Sequence, residues 1–109
     1  MTVSREDLLK ERFGVEAFEL AGVGTVEIRS VSREVVLGLR GREPALTALE
    51  QERLLVSAAM VSPKMSQDDV AAWQAASPAG ELEPLTEAIM RLSGLRRDAP
   101  KEAVKQFRG

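Results

Sequence analysis

The chain has 109 residues, 44 % of them hydrophobic, and a formal charge of −2, which suits one domain closed around a single core. With no cysteine and no histidine, disulfides and thiolate sites are excluded, and the commonest metal ligand and general base is missing. The first residues, Met-Thr-Val-Ser-Arg-Glu-Asp, are charged with no apolar run behind them, so no secretory leader is expected and a cytoplasmic location is.

Ser4 and Asp7 have the form of a capping box with Asp in place of Glu. They predict a short helix over 5–12, with Leu8, Leu9 and Phe13 as its apolar contacts and Gly14 as its end. Segments 15–20 and 25–31 read as strands, since Val26-Glu27-Ile28-Arg29 alternates apolar with charged. Ala21-Gly22-Val23-Gly24 between them can supply the positive φ of a hairpin turn, so 15–31 is expected to be a β-hairpin. A hairpin alone is marginal and needs a helix on its apolar face.

Ser32 reads as the N-cap of a helix over 33–40, with Glu34 in its first turn and Val35, Val36 and Leu39 as a small apolar face before Gly41. Pro44 suits a first turn and opens a helix over 44–61, which Ser62-Pro63 ends because proline pushes its predecessor out of the α region. Within it, residues 54–61 are apolar on every side of a helical wheel except at Ser57 and must be enclosed. The stretch is far shorter than the roughly 20 residues of a membrane span. Its enclosure is therefore protein, and the hairpin is the expected neighbour.

Ser66 with Asp69 repeats the capping pattern and opens a helix over 67–76, whose Ala71, Ala72, Ala75 and Ala76 permit close approach of a neighbour. Ser77-Pro78-Ala79-Gly80 breaks it. Over 81–93, Leu82, Leu85, Ala88, Ile89 and Leu92 share one helical face, and Glu83, Thr86, Glu87 and Arg91 lie outside it. Gly94 suits the C′ position, with Leu95 as its hydrophobic contact. Residues 96–109 are expected to be a mobile basic tail, or Lys101 to Arg108 within them to add one or two helical turns with Ala103, Val104 and Phe107 on one side. The fold class is thus mainly α with an N-terminal β-hairpin (α+β), a small bundle of short helices in a single domain, 1–109.

Charge is unevenly spread. Residues 65–90 hold Asp68, Asp69, Glu81, Glu83 and Glu87 and no base, whereas 91–109 hold Arg91, Arg96, Arg97, Lys101, Lys105 and Arg108 against Asp98 and Glu102. Blocks of opposite sign fold onto one another or attract a second copy, and both readings stay open. Gly22-Val23-Gly24 does not extend to a dinucleotide fingerprint, because Glu27 takes the third glycine position and a strand follows where a helix N-terminus is needed. Asp68-Asp69 and Glu81-x-Glu83 do not fit a calcium loop and read as helix N-terminal charges. Serine nucleophiles have no histidine to serve them. No catalytic residue, metal or cofactor is therefore expected, and the protein is read as non-enzymatic.

The helix, short turn and helix from Gln67 to Ser93 have the outline of a helix-turn-helix, so the alternative reading is a small bacterial regulatory or protein-interaction module. Glu81, Glu83 and Glu87 would meet phosphates there, which argues against nucleic acid as a partner. Trp73, the lone tryptophan, reads as a core filler or as a partner anchor.

Several segments together resemble the tail assembly chaperones of long-tailed phages and prophages. They are the charged first helix, the apolar hairpin running into Val26-Glu27-Ile28-Arg29-Ser30-Val31-Ser32-Arg33-Glu34, the apolar helix before Ser62-Pro63-Lys64, Met65-Ser66-Gln67-Asp68-Asp69-Val70, and Leu85-Thr86-Glu87-Ala88-Ile89-Met90-Arg91-Leu92-Ser93-Gly94. The resemblance implies a protein of the host bacterial cytoplasm that binds the tape-measure protein, promotes assembly of tail-tube subunits around it, and is absent from the finished virion. It also implies self-association and brings no residue-level binding motif. The partner-binding residues expected from charge and exposure are Asp68, Asp69, Trp73, Glu83, Glu87, Arg91, Arg96, Arg97 and Phe107. The acidic stretch of one copy is expected to face the basic tail of another, or the tail to fold back within its own chain.

Overall fold

Val26 and Ile28 lie two residues apart on the middle strand of a three-stranded antiparallel sheet and are buried, while Thr25, Glu27 and Arg29 beside them are exposed. The structure, a computed structural model, describes residues 2–95; the expected tail, with Arg96, Arg97 and Phe107, lies outside the described residues. Strand β1 (Val15–Leu20) pairs with β2 (Gly24–Arg29) from Val15↔Arg29 to Leu20↔Gly24. The expected hairpin forms, with Ala21, Gly22 and Val23 as its loop. The Val23 N–H donates to the Leu20 carbonyl at 3.0 Å, and Gly22 and Gly24 adopt φ of 79° and 145°, which L side chains disfavour. At the open end the strand stops before 30–31. There Ser30 N–H donates to the Gly14 carbonyl at 2.8 Å, but Gly14 N–H finds the Ser30 hydroxyl at 3.0 Å instead of a backbone carbonyl.

The helices are set by their caps. In α1 (Arg5–Leu9) the Ser4 and Asp7 box is present, but the helix is shorter than the expected 5–12. Lys10 turns extended, and the Arg12 guanidinium donates to the carbonyls of Asp7, Leu8 and Lys10, closing the C-terminus in place of Gly14. Helix α2 (Arg33–Arg40) begins at Ser32 and ends at Gly41, as its sequence predicts. Helix α3 (Ala48–Ala59) starts at a capping box between Thr47 and Glu50, with bonds of 3.2 and 3.0 Å, and not at Pro44. Helix α4 (Gln67–Ala76) carries the expected Ser66 and Asp69 box. Helix α5 (Glu83–Leu92) opens two residues later than expected, after Leu82. It closes with Leu95 N–H donating to the Met90 carbonyl at 2.7 Å and Gly94 N–H to Arg91 at 3.1 Å, with Gly94 at φ 78°. This is the Schellman arrangement.

The stretch 54–61 departs most from the sequence reading. The helix ends at Ala59, and strand β3 (Met60–Ser62) pairs with β2 through Ile28↔Met60 and Glu27↔Ser62, with an irregularity between. Proline at 63 favours extended backbone before it. An extended run alternates its side chains, so Met60 is buried while Val61 is 39 % exposed. Enclosure is therefore partial: Val56 and Ala59 are buried, whereas Leu54, Leu55, Ser57 and Ala58 are half-buried.

Coverage of the sheet also differs. Helix α5, not α3, lies on β1 and β2, and α3 packs on α2, α4 and α5. The buried Leu82, Leu85, Ala88 and Ile89 form one cluster with Leu20, Val26, Ile28, Val56 and Val70. Of the α4 alanines expected to admit a close neighbour, Ala71 is half-buried, whereas Ala72, Ala75 and Ala76 are exposed and do not mediate its packing. Gln74 joins α4 to α3 instead, accepting from Arg53 Nε at 2.7 Å and donating to Glu52 at 3.0 Å and the Leu49 carbonyl at 3.2 Å. Ser93 ties the end of α5 to the sheet exit: its hydroxyl accepts from Val31 N–H at 2.8 Å and donates to the Ile89 carbonyl at 2.7 Å.

Chemical denaturation ranks these contacts. Ile28→Ala, at a fully buried site, should cost about 2–5 kcal/mol. Ser93→Ala, which strands the Val31 N–H, should cost about 1–3 kcal/mol. Leu8→Ala, at a 62 % exposed site, should change stability by less than about 0.5 kcal/mol.

Candidate functional site

The charged residues singled out in the sequence do not converge. Asp68 stands exposed in the first turn of α4. Asp69 is part of the cap, accepting from Ser66 N–H at 2.9 Å while its own N–H donates to the Ser66 hydroxyl at 3.1 Å. The Ser66 N–H foremost, and the Ser66 hydroxyl after it, hold the Asp69 carboxyl below the usual range, and the Thr47 backbone and hydroxyl do the same for Glu50. At the other end of α4, Trp73 is half-buried against the core and its Nε1 donates to Glu81 at 2.8 Å. Trp73 thus combines core packing with a polar contact that fixes the α4–α5 turn. Glu83 and Glu87 are exposed on α5. Arg91 forms an ion pair with Glu16 of β1 at 2.7 Å, its side chain 46 % exposed, so it ties α5 to the sheet within its own chain. Among the described residues, no group of acids is placed to hold a metal ion.

Two open grooves lie at opposite ends of the α5 and β1 layer. One, of about 350 Å³, sits between the hairpin loop and the α4–α5 turn, with Phe18, Leu20, Ala21, Pro78 and Pro84 as its apolar wall and Glu19 and Glu81 as its charged residues. The other, of about 400 Å³, sits where α1 leads into β1 and α5 ends. Its apolar residues are Leu9, Phe13, Val31 and Leu92, and Lys10, Arg12 and Arg33 outnumber Glu11. The ten residues of α5 separate the two by roughly 15 Å.

The sequence reading missed this second end. It took Leu8, Leu9 and Phe13 as packed contacts, but Leu8 is 62 %, Leu9 65 % and Phe13 37 % exposed, with Val3 and Val15 exposed beside them. The α1 helix has no buried residue, because five residues make too little face to reach the core. Its brevity was the available signal: Lys10, Glu11 and Arg12 follow the leucine pair directly. Arg29 lies over the Phe13 ring at 5.2 Å, covering one face with a cation. Such grooves offer apolar contact beside an excess of one charge, the ingredients of protein recognition.

No family model matches the chain, and neither a curated protein nor a solved structure matches it. Among the described residues no helix is long and apolar enough to cross a membrane.

The cap carboxylates set a pH dependence. Because the folded forms of Glu50 and Asp69 titrate below their ordinary values of 4.5 and 3.8, the unfolded chain binds more protons between the two states' values. Their contribution is complete above the ordinary values and is lost as pH falls through the depressed ones. Urea denaturation from pH 7 to 3 should show a smaller loss for Glu50→Gln with Asp69→Asn than for the unaltered chain; equal losses would contradict the assignment.

Proposed function

We propose that the protein is a non-enzymatic tail assembly chaperone of a long-tailed phage or prophage. It works in the host bacterial cytoplasm, binds the tape-measure protein and tail-tube subunits, and leaves before the virion is complete. The sequence resemblance motivates this reading, and two grooves of unlike character, one mainly apolar with acids and one mainly polar with an excess of bases, are the observation that supports it. A long helical partner presents the same kind of apolar stripe many times over. A small protein with two shallow contact surfaces can occupy such a partner repeatedly, through contacts weak enough to be released.

The regulatory alternative gains less support. In a helix-turn-helix the second helix lies in the major groove, whereas here Glu83 and Glu87 stand exposed on α5 and would repel phosphates. Helices α4 and α5 also both pack on α3.

Co-expression with the tape-measure protein of the same phage or prophage tests the proposal. The partner should stay soluble and co-purify with the chaperone, and should precipitate when expressed alone. A partner equally insoluble in both cases, with no co-purification, would reject the function. A gel shift with genomic DNA at low salt should show no complex.

A further inference from the structure

We infer that the outer edge of β1 is a docking site for an extended, basic segment of another protein, which adds to the sheet as a further antiparallel strand. The inference is independent of the tape-measure identity. A helix spends its backbone groups on itself and cannot pair with a strand edge, so the partner here is of a different kind.

The edge is open by geometry. The sheet runs β1, β2, β3, so among the described residues β1 is paired on one side only. The Ser30 N–H donates to the Gly14 carbonyl at 2.8 Å, in the same register as Val15↔Arg29, which turns the Gly14 backbone toward β2. Backbone direction alternates along an antiparallel strand. Glu16 and Phe18 therefore face β2 as well, and the N–H and C=O groups of Val15, Ala17 and Glu19 point outward. All three residues are exposed. The opposite edge is guarded, since β3 has three residues, pairs irregularly and is followed by Pro63. In contrast, β1 keeps its register over six residues and contains neither proline nor lysine, two of the devices that blunt an edge.

The surroundings select the incoming chain. An added strand lies roughly 4.8 Å outside β1, beside the groove of Phe18, Leu20, Pro78 and Pro84. Its side chains on the α5 face enter that groove, which favours aliphatic ones. Those on the other face stand across from Val15, Ala17 and Glu19. Glu19 and Glu27 supply carboxylates to that face, Glu81 lines the groove, and Arg29 is drawn over the Phe13 ring. A strand alternating aliphatic and basic residues satisfies both faces. A second copy of β1 does not, because it brings two more acids and no base.

Titration of the full, isotope-labelled chain with the peptide acetyl-Lys-Val-Lys-Val-Lys-Val-Lys-amide, followed by NMR and amide exchange, tests the site. In the free protein the Val15, Ala17 and Glu19 amides should exchange freely while those of Glu16 and Phe18 are protected. The peptide should protect the first set. Methylating its lysine amides, which face β1 in this register, should abolish binding, and methylating its valine amides should leave binding intact. Glutamates in place of the lysines should abolish it too. Ala17→Pro removes one outward donor at a place where an edge strand tolerates proline. It should weaken binding roughly tenfold, the scale of one lost hydrogen bond, and Glu19→Lys should weaken it several-fold. Circular dichroism and Trp73 emission should match the unaltered chain in both variants. The methylated peptides leave the protein itself unaltered, so they decide the matter even where Ala17→Pro disturbs folding.

Val15, Ala17 and Glu19 amides already protected in the free chain would overturn the inference, because the protein would then cover its own edge. So would binding that survives methylation of the lysine amides, equal affinity for the glutamate peptide, or shifts confined to the groove around Phe13. Absence of any shift up to the solubility limit of the peptide would overturn it as well.

Discussion

The structure depends on one face of α5 being laid across a sheet too small to stand alone. A three-stranded sheet with β2 in the middle offers Val26 and Ile28 on one side, and without a cover those residues would meet water. Leu85 and Ile89 supply the cover and are fully buried in return. Val56 and Val70, from α3 and α4, complete the same cluster. Removing the α5 face would therefore expose the sheet and leave α3 and α4 without a common partner.

Short helices are made to stop and start on schedule by their ends. Ser4, Thr47 and Ser66 each form a reciprocal box with an acid three residues on, and Gly94 closes α5. A helix of five to twelve residues gains little from propagation, so satisfied termini and tertiary packing together hold the elements. Ser30 and Ser93 work similarly between elements, supplying hydroxyl acceptors for Gly14 and Val31 where the strand ladder ends. Among the described residues no buried side-chain polar atom lacks a partner.

The same economy of core leaves two ends open. The hairpin loop and the α4–α5 turn diverge around an apolar groove bearing Glu19 and Glu81, and α1 leaves its leucines in solvent at the far end. Apolar surface beside an excess of one charge is a feature that association, more than isolated stability, explains. The proposed assembly role draws on this polarity toward a long helical partner.

The sequence by itself determined what is settled within a few residues. It specified the α+β class, the hairpin turn at Gly22 and Gly24, the caps at Ser4, Ser32 and Ser66, and the buried stripe of α5, because a cap spans three residues and helical periodicity is local. It did not reveal that Met60 joins β2 or that α5 covers the hairpin. Nor did it show that Leu8 and Leu9 stay in water while Arg91 is held by Glu16. Those outcomes depend on partners distant in sequence, such as Ser93 bonding Val31 across 62 positions. Residues 54–61 are oily enough to continue as helix or to turn into strand, and only the vacant edge of β2 beside Ile28 decided between them.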